Sequence, residues 1–336
     1  MEINVNTSLS SYKIIIEKGV LNNLIDYLDF KGKVMIISDD GVPSTYLEKV
    51  KSQFNPAYEF VIKQGEESKS IDSFMKIHKC LLDYNFSRND ILIALGGGVV
   101  GDLTGFVAST YKRGIKYVQI PTTTLSQIDS SVGGKTAIDF EGYKNVIGTF
   151  YQPSLVLIDV ETLATLPRRH FFNGLVEALK IGLTYDEELV KLFEKENFTD
   201  YVEEIIKKAV YLKKQVVERD EKELNERKVL NFGHTIGHAI ESLNLGKLLH
   251  GECVAKGMLY FIDNEAIKEK VISILNKMRI TTDYKVDSSL LMKYIRNDKK
   301  SNLDSISVIK VSEIGKYKIE ELSFDEIKNL LDKEGK

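Results

Sequence analysis

Tryptophan is absent from the 336 residues, and there are only 2 cysteines and 5 prolines. Cys80 and Cys253 lie far apart with no C-x-x-C spacing, which excludes a disulfide framework and a thiolate zinc site. The last proline is Pro167, so the second half of the chain contains no proline to break a helix interior. Surplus positive charge is missing too. Lys and Arg number 46 against 49 Asp and Glu, a net charge of -3, and this argues against a nucleic-acid partner. No apolar run approaches the roughly 18 residues of a membrane span. Met1–Val5 lacks the positive stretch and apolar core of a secretion signal. The expectation is a soluble, cytoplasmic chain without a membrane partner. Hydrophobic residues at 43% supply enough apolar material for about two domains.

Short β-branched runs at Ile14–Ile16, Val34–Ile37, Glu59–Ile62, Ile91–Leu95, Val118–Ile120 and Leu155–Ile158 read as strands. Amphipathic stretches such as Ile71–Leu82 lie between several of them, with apolar residues at helical spacing. Near-continuous apolar strands alternating with helices predict a largely parallel sheet covered on both faces. Beyond Pro167 long helical patterns run over Phe171–Lys180, Glu187–Glu194, Val202–Glu218 and Val229–Leu243, with further helices to about Asn297. A strand pair (Ile306–Val311, Tyr317–Glu321) and a helix Asp325–Leu331 capped by Ser323 close the chain. The expected fold class is α/β: a Rossmann-like α/β domain over 1–165, then a mainly helical domain over 166–336.

Gly96-Gly97-Gly98-Val99-Val100-Gly101-Asp102 follows a strand directly and satisfies G-x-G-x-x-G where a helix should start. Bare backbone and a helix N-terminus at such a turn can approach a pyrophosphate, although glycines also serve a tight turn alone. The next strand ends in Pro121-Thr122-Thr123-Thr124 without the usual ribose-binding acid. Asp39, which ends an earlier strand, can take that part. Val132-Gly133-Gly134-Lys135-Thr136 is not a P-loop, because Asp129 stands where the first glycine belongs.

Three of the 5 histidines, His234, His238 and His250, fall close together. His234 and His238 are one helical turn apart on one face, and His250-Gly251-Glu252 opens the next helix. Gathered imidazoles suit a divalent transition metal, zinc by default, or else are satisfied structural histidines of a helical core. No H-E-x-x-H supports a metalloprotease. Glu177 is the best further ligand, because an acid in an apolar helical segment is costly unless paired. Lys180, one turn on, offers an ordinary ion pair instead. Lys213, Glu223 and Arg227 alone read as solvated charges; His78 reads as a surface residue and His170 as part of the hinge.

Together these blocks resemble the 3-dehydroquinate synthase family, within the wider sugar-phosphate cyclases. The resemblance also rests on Ala108-Ser109-Thr110-Tyr111-Lys112-Arg113-Gly114, Gln127 to Thr136, Lys144-Asn145, Glu177-Ala178-Leu179-Lys180, Leu230 to Ala239 and His250-Gly251-Glu252. It implies NAD and Zn2+ (Co2+ able to replace it) in a cleft between an α/β and a helical domain. The implied metal ligands are Glu177, His234 and His250. Implied NAD contacts are Asp39, Glu66, Lys69, Gly98, Val99, Val100, Gly101, Asp102, Thr122, Thr123, Lys135, Lys144, Thr162, Leu163, Ala164 and Thr165. Implied substrate contacts are Asp129, Lys135, Asn145, Lys180, Lys213, Arg227, Asn231 and His238, the last near the substrate phosphate. Arg113 is expected to reach across a homodimer interface, and Lys299 or Lys300 to contact phosphate. Three residues depart from the family pattern: Asn225 stands for a glycine, with positive φ tolerated by Asn, His170 for an acid, and Cys253 for a small apolar residue.

The implied reaction converts a small-molecule sugar phosphate, 3-deoxy-D-arabino-heptulosonate 7-phosphate, into 3-dehydroquinate and phosphate. It would proceed by transient oxidation with NAD, β-elimination, reduction and intramolecular aldol closure. Two rivals share many of these features: an NAD- and metal-dependent polyol or alcohol dehydrogenase on the same fold, and another sugar-phosphate cyclase.

Overall fold

The computed structural model describes residues 1–8, 10–28, 30–244, 246–283, 287–298 and 305–334. Lys299 and Lys300 lie outside the described residues. The chain divides into two compact units, Met1–Pro167 with Lys213–Lys222, and Arg168–Leu212 with Glu223–Lys336. Among the described residues no helix is long and apolar enough to cross a membrane.

The first unit contains β1 (Glu2–Asn6), β2 (Ser11–Ile16), β3 (Val34–Asp39), α1 (Ser44–Lys51), β4 (Ala57–Ile62), α2 (Ile71–Asp83), β5 (Ile91–Gly96) and α3 (Gly98–Thr110). It continues with β6 (Lys116–Pro121), β7 (Lys135–Phe140), β8 (Tyr143–Phe150) and β9 (Leu155–Ile158). Seven strands form one sheet in the order β1-β2-β9-β6-β5-β3-β4, parallel except for the β1–β2 pair. Alternate residues of β3 enter separate cores, Met35 and Ile37 one, Val34 and Ile36 the other. A strand buried on both faces has no polar side, which is why it reads as a continuous apolar run.

From β3 the chain moves outward to β4, whereas from β5 it moves the opposite way to β6. The neighbouring strands β3 and β5 therefore flank a topological switch point, where open α/β sheets leave a ligand crevice. Ser38 pairs with Leu95 in register, so Asp39 and the glycine run Gly96–Gly98 end side by side.

Two features of this unit escape the sequence pattern. β1 is a period-2 strand of only five residues. The hairpin β7–β8 turns through Glu141 and Gly142 at φ 50° and 78°, and every residue of β8 is exposed, so no apolar alternation marks it. His78 also differs from expectation. It is half-buried, its ring nitrogens 2.9 Å from Phe74 O and 3.0 Å from Thr110 Oγ1.

Along the rest of the chain lie α4 (Arg168–Tyr185), α5 (Glu187–Glu194), α6 (Val202–Arg219), α7 (His234–Asn244), α8 (His250–Leu259), α9 (Glu265–Lys277) and α10 (Ser288–Asp298). They are followed by the hairpin β10 (Ser305–Glu313) and β11 (Lys316–Ser323), then α11 (Phe324–Glu334). Ser323 and Glu326 form the capping box of α11: Ser323 Oγ accepts from Glu326 N at 3.2 Å, and Glu326 Oε2 accepts from Ser323 N at 2.8 Å. α4 is buried on all sides from Phe172 to Thr184, as a central helix must be.

The helical pattern expected over Val229–Leu243 is broken. A 3-10 segment Glu226–Asn231 precedes α7, and Gly233 between them takes φ 78°. Gly233 has no room for a side chain: a Cβ there would lie 2.8 Å from Val254 O and Met258 N. In the preceding turn the positive φ falls on Glu223 (59°), while Asn225 takes φ -135°, contrary to the expectation for Asn225. Glycines also set the approach of α8 to its neighbours. A Cβ on Gly257 would lie 2.0 Å from Gly233 O, and one on Gly251 2.1 Å from Asn173 O of α4.

Two variants test these determinants. Gly257→Ala forces apart backbones already in contact and should cost about 1–3 kcal/mol in urea unfolding, with weaker metal binding; full tolerance would contradict the close approach. In the first unit the Asp90 carboxylate accepts from Lys33 N (2.8 Å) and Ser87 N (2.5 Å), joining the starts of β3 and β5. Burial acts to raise its pKa, but these backbone donors outweigh burial and lower it. Asp90→Ala should therefore cost about 1–2 kcal/mol at neutral pH. Because the folded pKa is the lower one, this stabilisation is present above about pH 4 and disappears as pH falls through the folded value. Wild type and variant should converge there; a difference independent of pH would contradict the assignment.

Candidate active site

Five strands of the first unit carry polar residues at or beyond their carboxyl ends, and the sheet order makes these ends neighbours. α3 starts at Gly98 with Gly97 as N-cap and no side-chain cap, leaving its first N–H groups to bind an anion. A Cβ on Gly97 would lie 3.2 Å from Thr123 Cγ2, and one on Gly98 3.2 Å from Ser130 Oγ. Val99, Val100 and Gly101 form the first turn, and Asp102 follows. Thr122 N donates to Gly96 O at 2.9 Å, tying the end of β6 to the glycine run. Asp39 accepts from Gly41 N at 2.9 Å, and burial raises its pKa against the Gly41 and Val42 backbone donors. After β9, the Thr162 hydroxyl donates to Asp159 O (2.7 Å) and meets Gln127 Nε2 (3.1 Å). Leu163 is buried, whereas Ala164 and Thr165 are exposed.

A charged cluster adjoins this edge. Lys69, 4% exposed, pairs with Asp102 at 2.7 Å and lies 3.7 Å from Glu66. Burial acts to lower its pKa, but Asp102 and Glu66 outweigh burial and hold it above the usual lysine value. Lys69 Nζ also donates to Asn145 Oδ1, while Asn145 N donates to Asp139 Oδ1 at 2.8 Å. Asp129 sits in a π-helical turn, Ser126–Ser130, and pairs with Lys213 of α6 at 2.6 Å. Lys135, Lys144 and Arg113 are exposed; Arg113 lies in a turn where it and Lys112 take φ 66° and 50°.

In the second unit Glu177, His234 and His250 each offer a ligand atom, all within 4.8 Å of one another. His234 Nε2 and His250 Nε2 lie 4.0 and 3.6 Å from Glu177 Oε1. These separations are wide for hydrogen bonds and close to the roughly 3.3 Å between ligands about 2.0–2.1 Å from one tetrahedral ion. Both Glu177 oxygens are buried without a well-formed hydrogen bond, although Lys180 Nζ touches Oε2. The Oε1 oxygen, approached by two imidazoles and lacking a hydrogen bond, fits a divalent cation. Three protein ligands leave a fourth position for substrate, the pattern of a catalytic site.

Ring tautomers follow from the partners. His234 Nδ1 lies 3.1 Å from Phe232 O, which can only accept, so Nδ1 carries the proton and Nε2 keeps its lone pair. Burial, then the nearby Lys180 charge, holds the His234 pKa well below the usual histidine range. His250 Nδ1 lies 2.9 Å from Glu241 Oε2. Burial acts to lower its pKa, but Glu177 and Glu241 push it up to about 10 in the metal-free chain. Burial likewise acts to raise Glu177, but Lys180 and the imidazoles outweigh it and hold Glu177 well below the carboxylate range.

The His238 ring lies 5.1 Å from that of His234 and 5.9 Å from that of His250. Arg227 is 2% exposed, and Asn231 Nδ2 donates to Glu223 Oε1 at 2.5 Å. The sequence reading passed over Glu241 and Asp139. Only Glu241 leaves a signal: it lies seven residues after His234, on the face that also carries His238.

A sheet crevice opened by glycines and a buried three-ligand centre on helices define the class, metal-dependent enzymes with a Rossmann-like dinucleotide unit. The fold is shared with 2-deoxy-scyllo-inosose synthase, solved with carbaglucose-6-phosphate, NAD+ and Co2+ (TM-score 0.88, 24% identity, 99% of this chain and 100% of that one). It is shared equally with 2-epi-5-epi-valiolone synthase from Streptomyces hygroscopicus subsp. jinggangensis, solved with NAD+ and Zn2+ (TM-score 0.87, 27% identity, 98% of each chain). A probable glycerol dehydrogenase from Sinorhizobium meliloti is less similar, at TM-score 0.64 and 15% identity over 96% of each chain.

The particular family follows from sequence. Residues 59–173 match the model described as 3-dehydroquinate synthase N-terminal, and 174–301 the model described as 3-dehydroquinate synthase C-terminal. The 3-dehydroquinate synthase of Clostridium tetani is 42% identical over 94% of this chain and 90% of its own length. That of Thermodesulfovibrio yellowstonii is 42% identical over 98% and 99%. The chain belongs to the 3-dehydroquinate synthase family.

Replacing Glu177 should separate the two parts of this arrangement. Glu177→Gln strands the buried Lys180 ammonium and should cost the metal-free protein about 3 kcal/mol, besides removing the ion. Adding Lys180→Met should recover much of the stability and none of the metal. Urea unfolding with metal analysis reads both; a Glu177→Gln protein that retains one ion per chain would contradict the ligand assignment.

Proposed function

We propose that the protein is a 3-dehydroquinate synthase of the cytoplasm. It converts 3-deoxy-D-arabino-heptulosonate 7-phosphate into 3-dehydroquinate and phosphate, and is therefore a carbon–oxygen lyase of the shikimate pathway. The observation that carries this reading is the match of both family halves, from residue 59 to residue 301, on a chain whose second unit brings Glu177, His234 and His250 together.

When bound, NAD would supply a reversible hydride acceptor, and a divalent cation held by Glu177, His234 and His250 would supply Lewis-acid polarisation of a substrate hydroxyl. The chain's own residues bind and orient. The uncapped start of α3 suits the pyrophosphate, Asp39 the ribose, and Thr122, Thr123 and Thr162–Thr165 the rest of the dinucleotide, with Glu66, Lys69, Asp102 and Lys144 beside them. Lys180, fixed against Glu177, stabilises negative charge developing on a substrate hydroxyl. Arg227 presents a planar cation suited to the substrate carboxylate, and Asn231 adds a hydrogen-bond donor. His238, Lys135 and Asn145 are assigned to the phosphate, and Asp129 holds Lys213 in place for an anionic substrate. The exposed Arg113 is assigned to a second copy's site in a homodimer.

A polyol dehydrogenase has no need of buried cations such as Arg227 and Lys213, and a cyclase acting on a substrate without a carboxylate has no use for Arg227. Incubation with the heptulosonate phosphate and catalytic NAD separates these readings. Phosphate and dehydroquinate should appear in equal amounts with no net NADH. Accumulation of one NADH per substrate without phosphate release would establish the dehydrogenase instead.

A further inference from the structure

Lys180 cancels the charge of Glu177: Nζ touches Oε2, and the two side chains are 2% and 1% exposed. Both imidazoles are neutral when they ligate. Glu177, His234 and His250, taken with Lys180, therefore bring no net charge to a dication. A buried ion needs compensating charge, since desolvation of an uncompensated charge is severe.

We infer that Glu241 supplies one unit of this charge, acting through His250 as a positioning residue of the metal centre. The inference rests on the ligand assignment made above. His250 Nδ1 lies 2.9 Å from Glu241 Oε2, and a carboxylate can only accept, so the ring's remaining nitrogen Nε2 is directed at Glu177 Oε1, 3.6 Å away. A carboxylate on the far nitrogen makes an imidazole a stronger donor and fixes its plane.

The two imidazoles are consequently unequal. His234 is oriented by the neutral carbonyl of Phe232 at 3.1 Å, and His250 by a carboxylate at 2.9 Å. Glu241 belongs to α7 and His250 opens α8, so the contact also joins the helices that carry the two imidazole ligands. His250 becomes the stronger ligand, and removing Glu241 weakens the site without removing any donor atom.

Glu241→Gln keeps the shape and an oxygen that can accept from Nδ1, but loses the charge; Glu241→Ala loses both. Zn2+ dissociation constants, measured by chelator competition on protein with an unaltered circular dichroism spectrum, should rise about 10- to 100-fold in Glu241→Gln and further in Glu241→Ala. The visible absorption of the Co2+-loaded protein should shift, a change that loss of general stability does not produce. Wild-type affinity and an unchanged Co2+ spectrum in Glu241→Gln, alongside loss of metal in His250→Ala, would overturn this inference alone. Retention of metal at wild-type affinity in His250→Ala would overturn the ligand assignment and the inference with it.

Discussion

Glu177 lies 1% exposed in a helix that is buried on every side from Phe172 to Thr184. An ionised carboxylate in such a place is tolerated only when opposite charge or a metal meets it. Lys180 meets one oxygen from the same helix, one turn on, and the imidazoles of His234 and His250 approach the other. That requirement explains much of the second unit. α7 and α8 must come close to α4 and to each other, and Gly233, Gly251 and Gly257 stand where a side chain would keep them apart. The kink at Gly233 starts α7 at His234, so that this imidazole projects from the first residue of the helix.

The first unit meets a different constraint. A parallel sheet places the ends of its strands on one edge, and reversal of the connections between β3 and β5 leaves a crevice there. Gly97 and Gly98 form the uncapped start of α3 beside that crevice, and Asp39 and Thr122–Thr123 border it from the neighbouring strands. Lys69 is held between the Asp102 carboxylate and the Asn145 amide, which links the polar cluster to the β7–β8 hairpin.

Much of this was legible in the sequence because the signals are local. The strand–glycine–helix junction at Gly96–Asp102 and the His234–His238 spacing each fit within a few residues. Glu177 stood out because its neighbours are apolar. Other features depend on contacts distant in sequence or on backbone geometry. β8 is exposed throughout and carries no alternation. The break at Gly233 comes from the approach of Val254 and Met258, and the positive φ at Glu223 instead of Asn225 from the path of a turn. Glu241 looks like any helix acid until α8 brings His250 to it. The resemblance to a family named residues, such as Lys213 and Arg227, that composition alone would have left as surface charge.

The central claim is that one buried carboxylate and two imidazoles hold a single divalent ion. X-ray absorption at the zinc edge of the loaded protein tests it most directly. The account predicts a first shell of two imidazole nitrogens with oxygen at about 2.0–2.2 Å and no sulfur. A shell containing sulfur, or one of oxygens alone without the imidazole outer-shell signature, would contradict it.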